Sequence, residues 1–185
     1  MSLDERFADV LSAAQAGEER ALGVLYEDLQ PRLLRYLRVH EPRVAEDLAH
    51  DVWLGVALGI RRFSGGEDDF RAWLFTIARR RLLDLRRSNA RRRTFPMEAR
   101  RLVPWGRVAN VEQEALEVLG TELALSCIAM LPPSQADVVL LRVLGGLSVG
   151  EVAKILGKRP GAVRVLQHRA LRRLATIVAR EEVTE

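Results

Sequence analysis

The chain has 185 residues, with 29 basic and 25 acidic side chains and a formal net charge of +4. That length suits one ordinary domain or two small ones and excludes a large multi-domain enzyme; a 48% hydrophobic share argues against wholesale disorder. A single cysteine, Cys127, and three histidines offer no internal disulfide and no paired-cysteine metal cluster. There is also no run of about 18 apolar residues to span a membrane and no apolar signal segment after Met1, so a reducing cytoplasm is the expected setting.

The pattern is helical almost throughout, and no segment sustains period-two alternation. An N-terminal helix is predicted within residues 4–16, ending near Gly17. A second covers about 18–38, where Leu22, Leu25, Leu29, Leu33, Tyr36 and Leu37 recur at three and four residues and Pro31 is expected to bend or interrupt it. A third follows Pro42 and runs to about Ile60, with Val44, Leu48, Val52 and Val56 on its inner face. Ser64-Gly65-Gly66 reads as a loop. A fourth helix spans about Asp68 to Arg87, with Phe70, Leu74, Ile77 and Leu85 towards a core. From Ser88 to about Asn110 the periodicity fails, and prolines, a glycine and Arg91, Arg92, Arg93, Arg100, Arg101 and Arg107 read as a flexible basic linker. A helix over about 112–130 stops at Pro132-Pro133; the next, about 134–144, is expected to be capped by Ser134 and to end at Gly145-Gly146. The fold class is therefore all-α: two small helical domains joined by a flexible linker, divided as 1–88, 89–111 and 112–185.

The net charge conceals an uneven distribution. Residues 1–70 carry net −6, residues 71–110 net +10, residues 111–157 net −4 and residues 158–185 net +4. Two separated basic blocks suggest two contacts with a long polyanion, although Arg-rich stretches also arise as solvated faces.

The second block has a specific shape. Ser148 followed by Glu151 forms a capping box, in which hydroxyl and carboxylate satisfy free amides at a helix start. Val152, Ile155 and Leu156 pack one face, and Gly157 can turn with positive φ. Pro160 can open the next helix, whose inner face holds Val163, Leu166, Ala170, Leu174 and Ile177. Its outer face presents Arg164, Val165, His168, Arg169 and Arg172. A short capped helix, a tight turn and a longer basic helix fit a helix-turn-helix whose second helix enters the major groove. Arginines there can reach guanine edges and Val165 a thymine methyl, while Lys158, Arg159, Arg172 and Arg173 suit phosphates.

In the first domain, Asp47 and Asp51 share one helix face with Glu46 beside them, which is either a solvated stripe or a docking face for a basic partner. The segment Phe70-Arg71-Ala72-Trp73-Leu74-Phe75-Thr76-Ile77-Ala78-Arg79-Arg80-Arg81 interleaves aromatics and arginines after a loop bearing Phe63. Arginine holds phosphates and aromatics stack on unpaired bases, so opened DNA is one reading; a core role for Phe70, Trp73 and Phe75 is the other. A conventional helix-turn-helix regulator would explain the second basic block but not this helix. An enzyme would need a nucleophile, phosphate-loop or metal pattern that Asp47/Asp51, Asp68/Asp69 and the histidines His40, His50 and His168 do not make.

Three motifs together carry a family resemblance. "AEDLAHDVWL", "FRAWLFTIARRRLLDLRR" and "LPPSQADVVLLRVLGGLSVGEVAKILGKRPGAVRVLQHRALRRL" resemble regions 2.2, 2.3–2.4 and 4 of the extracytoplasmic-function (group 4) sigma factors of bacterial RNA polymerase, in the right order over most of residues 5–178. The resemblance implies a non-enzymatic subunit that binds core polymerase and directs it to promoters. Its partners would be the β′ clamp helices, the β flap, promoter DNA and an anti-sigma factor, with no cofactor, metal or small-molecule substrate. Glu46, Asp47, Leu48, His50, Asp51 and Trp53 would lie on the surface that docks on the clamp helices. Phe63, Phe70, Trp73, Arg79, Arg80 and Arg81 would read and help melt the −10 element. Arg164, Val165, His168 and Arg169 would read the −35 element, with Lys158, Arg159 and Arg172 along the DNA backbone. The linker would run towards the RNA exit channel. The chain departs from the common family pattern at His50, where Gln is frequent, and at Arg80, where Asn is frequent. Weak individual contacts, joined by a tether and the polymerase, imply weak DNA binding by the free chain.

Overall fold

The computed structural model describes residues 3–92 and 122–181. Among them every regular element is helical. The first module comprises α1 (Leu3–Ala16), α2 (Glu19–His40), α3 (Ala45–Gly59), a single 3-10 turn (Ile60–Arg62) and α4 (Glu67–Arg92). The second comprises α5 (122–129), α6 (Pro133–Val143), α7 (Val149–Leu156) and α8 (Pro160–Glu181).

Helical periodicity builds the first core. Leu25, Leu29, Leu33, Tyr36 and Leu37 form the buried stripe of α2, and Val52 and Val56 of α3 are fully buried with them. Phe70, Leu74, Phe75 and Ala78 of α4 close the same core. Pro31 lies inside α2 without ending it: the helix runs unbroken from Glu19 to His40. α4 likewise outruns the expected end near Arg87 and continues to Arg92, so the helix extends into the segment read as the start of the linker. The rest of that linker, and residues 112–121 of the helix expected over 112–130, fall outside the described residues.

In the second module Val138, Leu140, Leu141, Leu147, Val152, Val163 and Ala170 make the core, with Leu166, Leu174 and Ile177 packed against it. The start of α6 differs from expectation. Pro132 is the N-cap and Pro133 occupies the first turn, and no side chain caps the helix. Proline needs no partner for an amide it lacks, so the role expected of Ser134 is unnecessary. α7 begins as read from its residues: Glu151 donates its backbone N–H to the Ser148 hydroxyl at 3.2 Å, and Ser148 donates its own N–H to the Glu151 carboxylate at 2.6 Å. Gly157 ends α7 at φ +61, a left-handed turn that any side chain would strain, and α8 starts at Pro160.

Candidate polymerase-docking and nucleic-acid surfaces

On α3, Glu46, Asp47, His50 and Asp51 are exposed on the side turned away from the core. Leu48 and Trp53, expected on the same surface, are buried instead, and that expectation is corrected. Their positions fall on the inner stripe of the helix with Val52 and Val56. Trp53 donates its indole N–H to Gln30 at 2.8 Å and packs against Tyr26 with ring centroids 5.1 Å apart, so it ties α3 to α2 beneath the acidic face. Glu46 pairs with Arg38 across the same two helices at 2.6 Å. Two residues outside the expected set continue the face: Leu54 is 51% exposed and Leu58 79%. The 47, 51, 54, 58 spacing puts them in line with both aspartates, a pattern visible in the sequence once the helix phase is known.

The loop between α3 and α4 is organised by aromatics. Phe63 stacks on Trp73 with centroids 5.0 Å apart and planes 25° from parallel, and meets Phe70 edge-on at 5.3 Å. Gln15 from α1 donates to the carbonyls of Ile60 and Phe63 at 3.0 and 2.7 Å and pins the turn from below. Gly59 makes room for Trp73, since a Cβ there would lie 2.8 Å from the indole ring. Phe70 is wholly buried, edge-on to Trp73 and tilted against Phe7, so its expected contact with DNA is corrected to a core role that shapes the platform. Phe75 is equally buried and packs edge-on against Tyr36. Phe63 and Trp73 are half-buried and present aromatic surface beside the loop.

The arginines of α4 are differently engaged. Arg80 is exposed and Arg81 half-buried. Arg79 donates to Asp137 of α6 at 2.5 Å, a contact with the second module. Asp137 also lies 3.0 Å from His40 Nε2. Burial alone would push the Asp137 carboxyl up, but the His40 hydrogen bond and charge and the Arg79 guanidinium outweigh it and hold the carboxyl below its ordinary range. Burial would pull Arg79 down, yet Asp137 raises it, and burial together with the Asp137 charge drives the Tyr36 hydroxyl well above its usual value. Sequence alone does not show this cluster, because Asp137 is 58 residues from Arg79 and the three side chains lie on three helices.

On α8, Arg164, Val165, His168, Arg169 and Arg172 are all exposed, as are Lys158 and Arg159 in the turn before it. Among the described residues none of these seven takes part in an ion pair. Arg142 of α6 donates to the Leu147 carbonyl and fixes the loop into α7. Capping box, left-handed turn and buried Val163 together set the angle at which the basic face is offered. No group of three or more His, Cys, Asp or Glu among the described residues could hold a metal, and no helix there is long and apolar enough to cross a membrane.

Comparison with known proteins matches these two modules separately. Residues 25–92 match Sigma-70 region 2, and residues 121–174 match Sigma-70, region 4. The chain is 35% identical over 178 residues to the ECF RNA polymerase sigma factor SigD of Mycobacterium tuberculosis, covering 92% of this chain and 82% of SigD. It is 36% identical over 182 residues to the ECF sigma factor BldN of Streptomyces coelicolor, covering 94% of this chain and 66% of BldN. With ShbA of Streptomyces griseus the identity is 32% over 173 residues, 89% of this chain and 91% of ShbA. The solved structure of CnrH in complex with the cytosolic domain of CnrY shares the fold, with a TM-score of 0.63 at 22% identity over 92% of this chain and 95% of CnrH. Two matched regions in order, and relatives aligned over nearly the whole chain, place it in one family: it belongs to the ECF sigma factors, the subunits that direct RNA polymerase to promoters in transcription initiation.

Proposed function

We propose the following division of labour among the residues of this sigma factor. The exposed face of α3, Glu46, Asp47, His50 and Asp51 continued by Leu54 and Leu58, docks on the β′ clamp helices. A protein surface that is acidic at one end and apolar at the other suits a partner helix with a basic and an apolar segment, and it repels DNA. The Phe63–Trp73 platform, with Arg80 and Arg81, receives the opened −10 element: the aromatics stack on an unpaired base while the arginines hold phosphates. Arg79 joins them only when it is free of Asp137. Arg164, Val165, His168 and Arg169 read the −35 element in the major groove, with Lys158, Arg159 and Arg172 on phosphates. The region 4 module also meets the β flap, and an anti-sigma factor is a further partner. The modules are divided as 1–88 and 112–185 around a basic linker, 89–111, with α4 carrying the first module's last helix to Arg92. The protein has no catalytic activity of its own and works in the cytoplasm, where its polymerase is.

The observation that carries this reading is the exposed basic face of α8, which makes no ion pair among the described residues and follows a capping box and a left-handed turn, as a recognition helix would. The test is in vitro transcription by purified core polymerase over a genomic promoter library, with and without the protein. New start sites sharing two spaced elements are expected; no protein-dependent start site would sink the reading. Asp47→Arg should abolish or sharply weaken core binding in a folded protein. Core binding equal to wild type would remove α3 from the docking surface.

A further inference from the structure

Gly59, the last residue of α3, has an ordinary right-handed backbone, with φ −102 and ψ −19. Alanine adopts that conformation without strain and is the better helix former. The backbone therefore gives no reason for glycine at this position. The reason is one side chain. A Cβ at Gly59 would lie 2.8 Å from Cζ2 and 3.2 Å from Cη2 of Trp73, and among the described residues no other side chain beyond its chain neighbours comes within 4 Å of it. Gly55, one turn earlier, shows the milder case: a Cβ there would meet the Ile77 side chain at 3.3 Å, a crowding that a shift of a few tenths of an ångström relieves.

The indole of Trp73 cannot yield in that way. Phe63 stacks on it, with centroids 5.0 Å apart and planes 25° from parallel, and Phe70 meets it at 5.6 Å with planes at 64°. Phe70 is wholly buried and has its own neighbours, edge-on to Phe63 and tilted against Phe7, so it cannot give way either. Gln15 fixes the Phe63 side by donating to the carbonyls of Ile60 and Phe63. An indole moves as one rigid plate about two torsions. Pushing Cζ2 and Cη2 away from position 59 therefore displaces the whole ring from its register with Phe63 and Phe70.

We propose that Gly59 is a positioning residue for −10 recognition: its bare Cα lets the Trp73 indole lie where it stacks with Phe63, and so sets the surface that receives an unpaired base. This role rests on the reading of Phe63 and Trp73 as that surface. Gly59 contacts neither DNA nor polymerase in this arrangement and acts through Trp73 alone. A ring already held in place does not have to be ordered when the base arrives, so the preformed pair strengthens binding without adding a contact. The effect is confined to the single-stranded −10 contact. The −35 element is read by α8 in the other module, and core docking uses the exposed side chains of α3.

The test uses the full chain with core polymerase and a promoter fragment from the transcription library, made duplex at −35 and single-stranded across −10. Trp73→Ala should weaken binding about five- to 150-fold, the worth of stacking one base on an aromatic ring. Gly59→Ala should weaken it by about fivefold or more, with core binding and binding to a fully duplex −35 fragment as in wild type. The deciding measurement is a cycle with Trp73→Phe, whose single ring lacks the atoms that a Cβ at position 59 would meet. In that background Gly59→Ala should cost less than about twofold. An equal loss in both backgrounds means that the substitution acts through α3 and not through the indole, and it overturns the proposal. So does a Gly59→Ala chain that binds the fragment as wild type does. If Gly59→Ala does not fold by circular dichroism, the double variant with Trp73→Phe decides: it should fold and bind as Trp73→Phe does, and a double variant that also fails to fold overturns the assignment. Wild-type binding by Trp73→Ala is a different result: it removes the stacking reading itself, and the role of Gly59 with it.

Discussion

Two long helices of this protein are rich in arginine, and they use it in opposite ways. On α4, Arg71, Arg79, Arg86 and Arg87 are each paired with a carboxylate of the protein itself. On α8, Arg164, Arg169 and Arg172 stand in solvent and pair with no carboxylate among the described residues. The difference follows from what surrounds each helix. α4 carries Glu67, Asp68 and Asp84 one turn from Arg71 and Arg87, and the elements packed on it bring Glu41 to Arg86 and Asp137 to Arg79. α8 buries one narrow stripe centred on Val163 and Ala170 and leaves its other side open. The same residue type therefore organises protein in one place and is left available for a polyanion in the other.

The sharpest way to break this comparison is through the cores that separate the two helices. Phe70→Ala should destabilise the first module by about 3–5 kcal/mol, because a fully buried aromatic leaves a cavity. Thermal or denaturant unfolding reads this directly; a stability change below about 1 kcal/mol would return Phe70 to the DNA-contact set. Asp137→Ala should cost a similar amount in the docked form, about 3–5 kcal/mol, since Arg79 and His40 lose their buried partner. Acid is the graded version of that variant. The Asp137 carboxyl is held below its ordinary range, so the native state binds its proton less readily than the unfolded chain. The stability it contributes is fully present above the ordinary carboxylate pKa of about 4 and disappears as pH falls through the lowered native value. A pH series of unfolding midpoints should show this acid limb in wild type and a shallower one in Asp137→Asn.

The unpaired side of the comparison predicts smaller and differently placed effects. Arg164→Ala or Arg169→Ala should lose about 1–3 kcal/mol of discrimination at the −35 element while stability stays within about 0.5 kcal/mol of wild type. Equal loss on all sequences would instead make that arginine a phosphate contact. Ser148→Ala should lower the stability of the second module by about 1 kcal/mol through the lost cap. Smallest of all, Glu46→Gln removes a pair whose glutamate is 70% exposed, and its effect on folding should be under about 1 kcal/mol, measurable only against the docking affinity.

Much of this was legible in the sequence where the signal is local. The capping box at Ser148 and Glu151, the turn at Gly157 and the start at Pro160 are short-range chemistry and appear where their residues demand. The same holds for the apolar stripe of α2, whose periodicity outweighed the single break signal of Pro31: an embedded helix can bend around one missing amide when both flanks are packed. Leu48 and Trp53 show the limit. A family motif names residues that recur together, and such a run mixes the helix face that meets a partner with the face that holds it in place; only the helix phase separates them. The −10 set divides for the same reason, with Phe70 beneath the platform and Trp73 on it. Asp137 was not legible at all, because a lone aspartate early in an amphipathic helix gives no hint of the histidine and arginine that three-dimensional packing brings to it.

The sequence separation of that cluster has a consequence in time. The contacts within α6, α7 and α8 join neighbours in the chain, whereas Arg79 and Asp137 are 58 residues apart. Short-range contacts close early and long-range ones late, and a growing chain folds its leading domain first. Asp137 leaves the ribosome only after α1 to α4 have been made. Each newly synthesised molecule thus passes through an interval with a finished first module and an Arg79 that has not yet met Asp137.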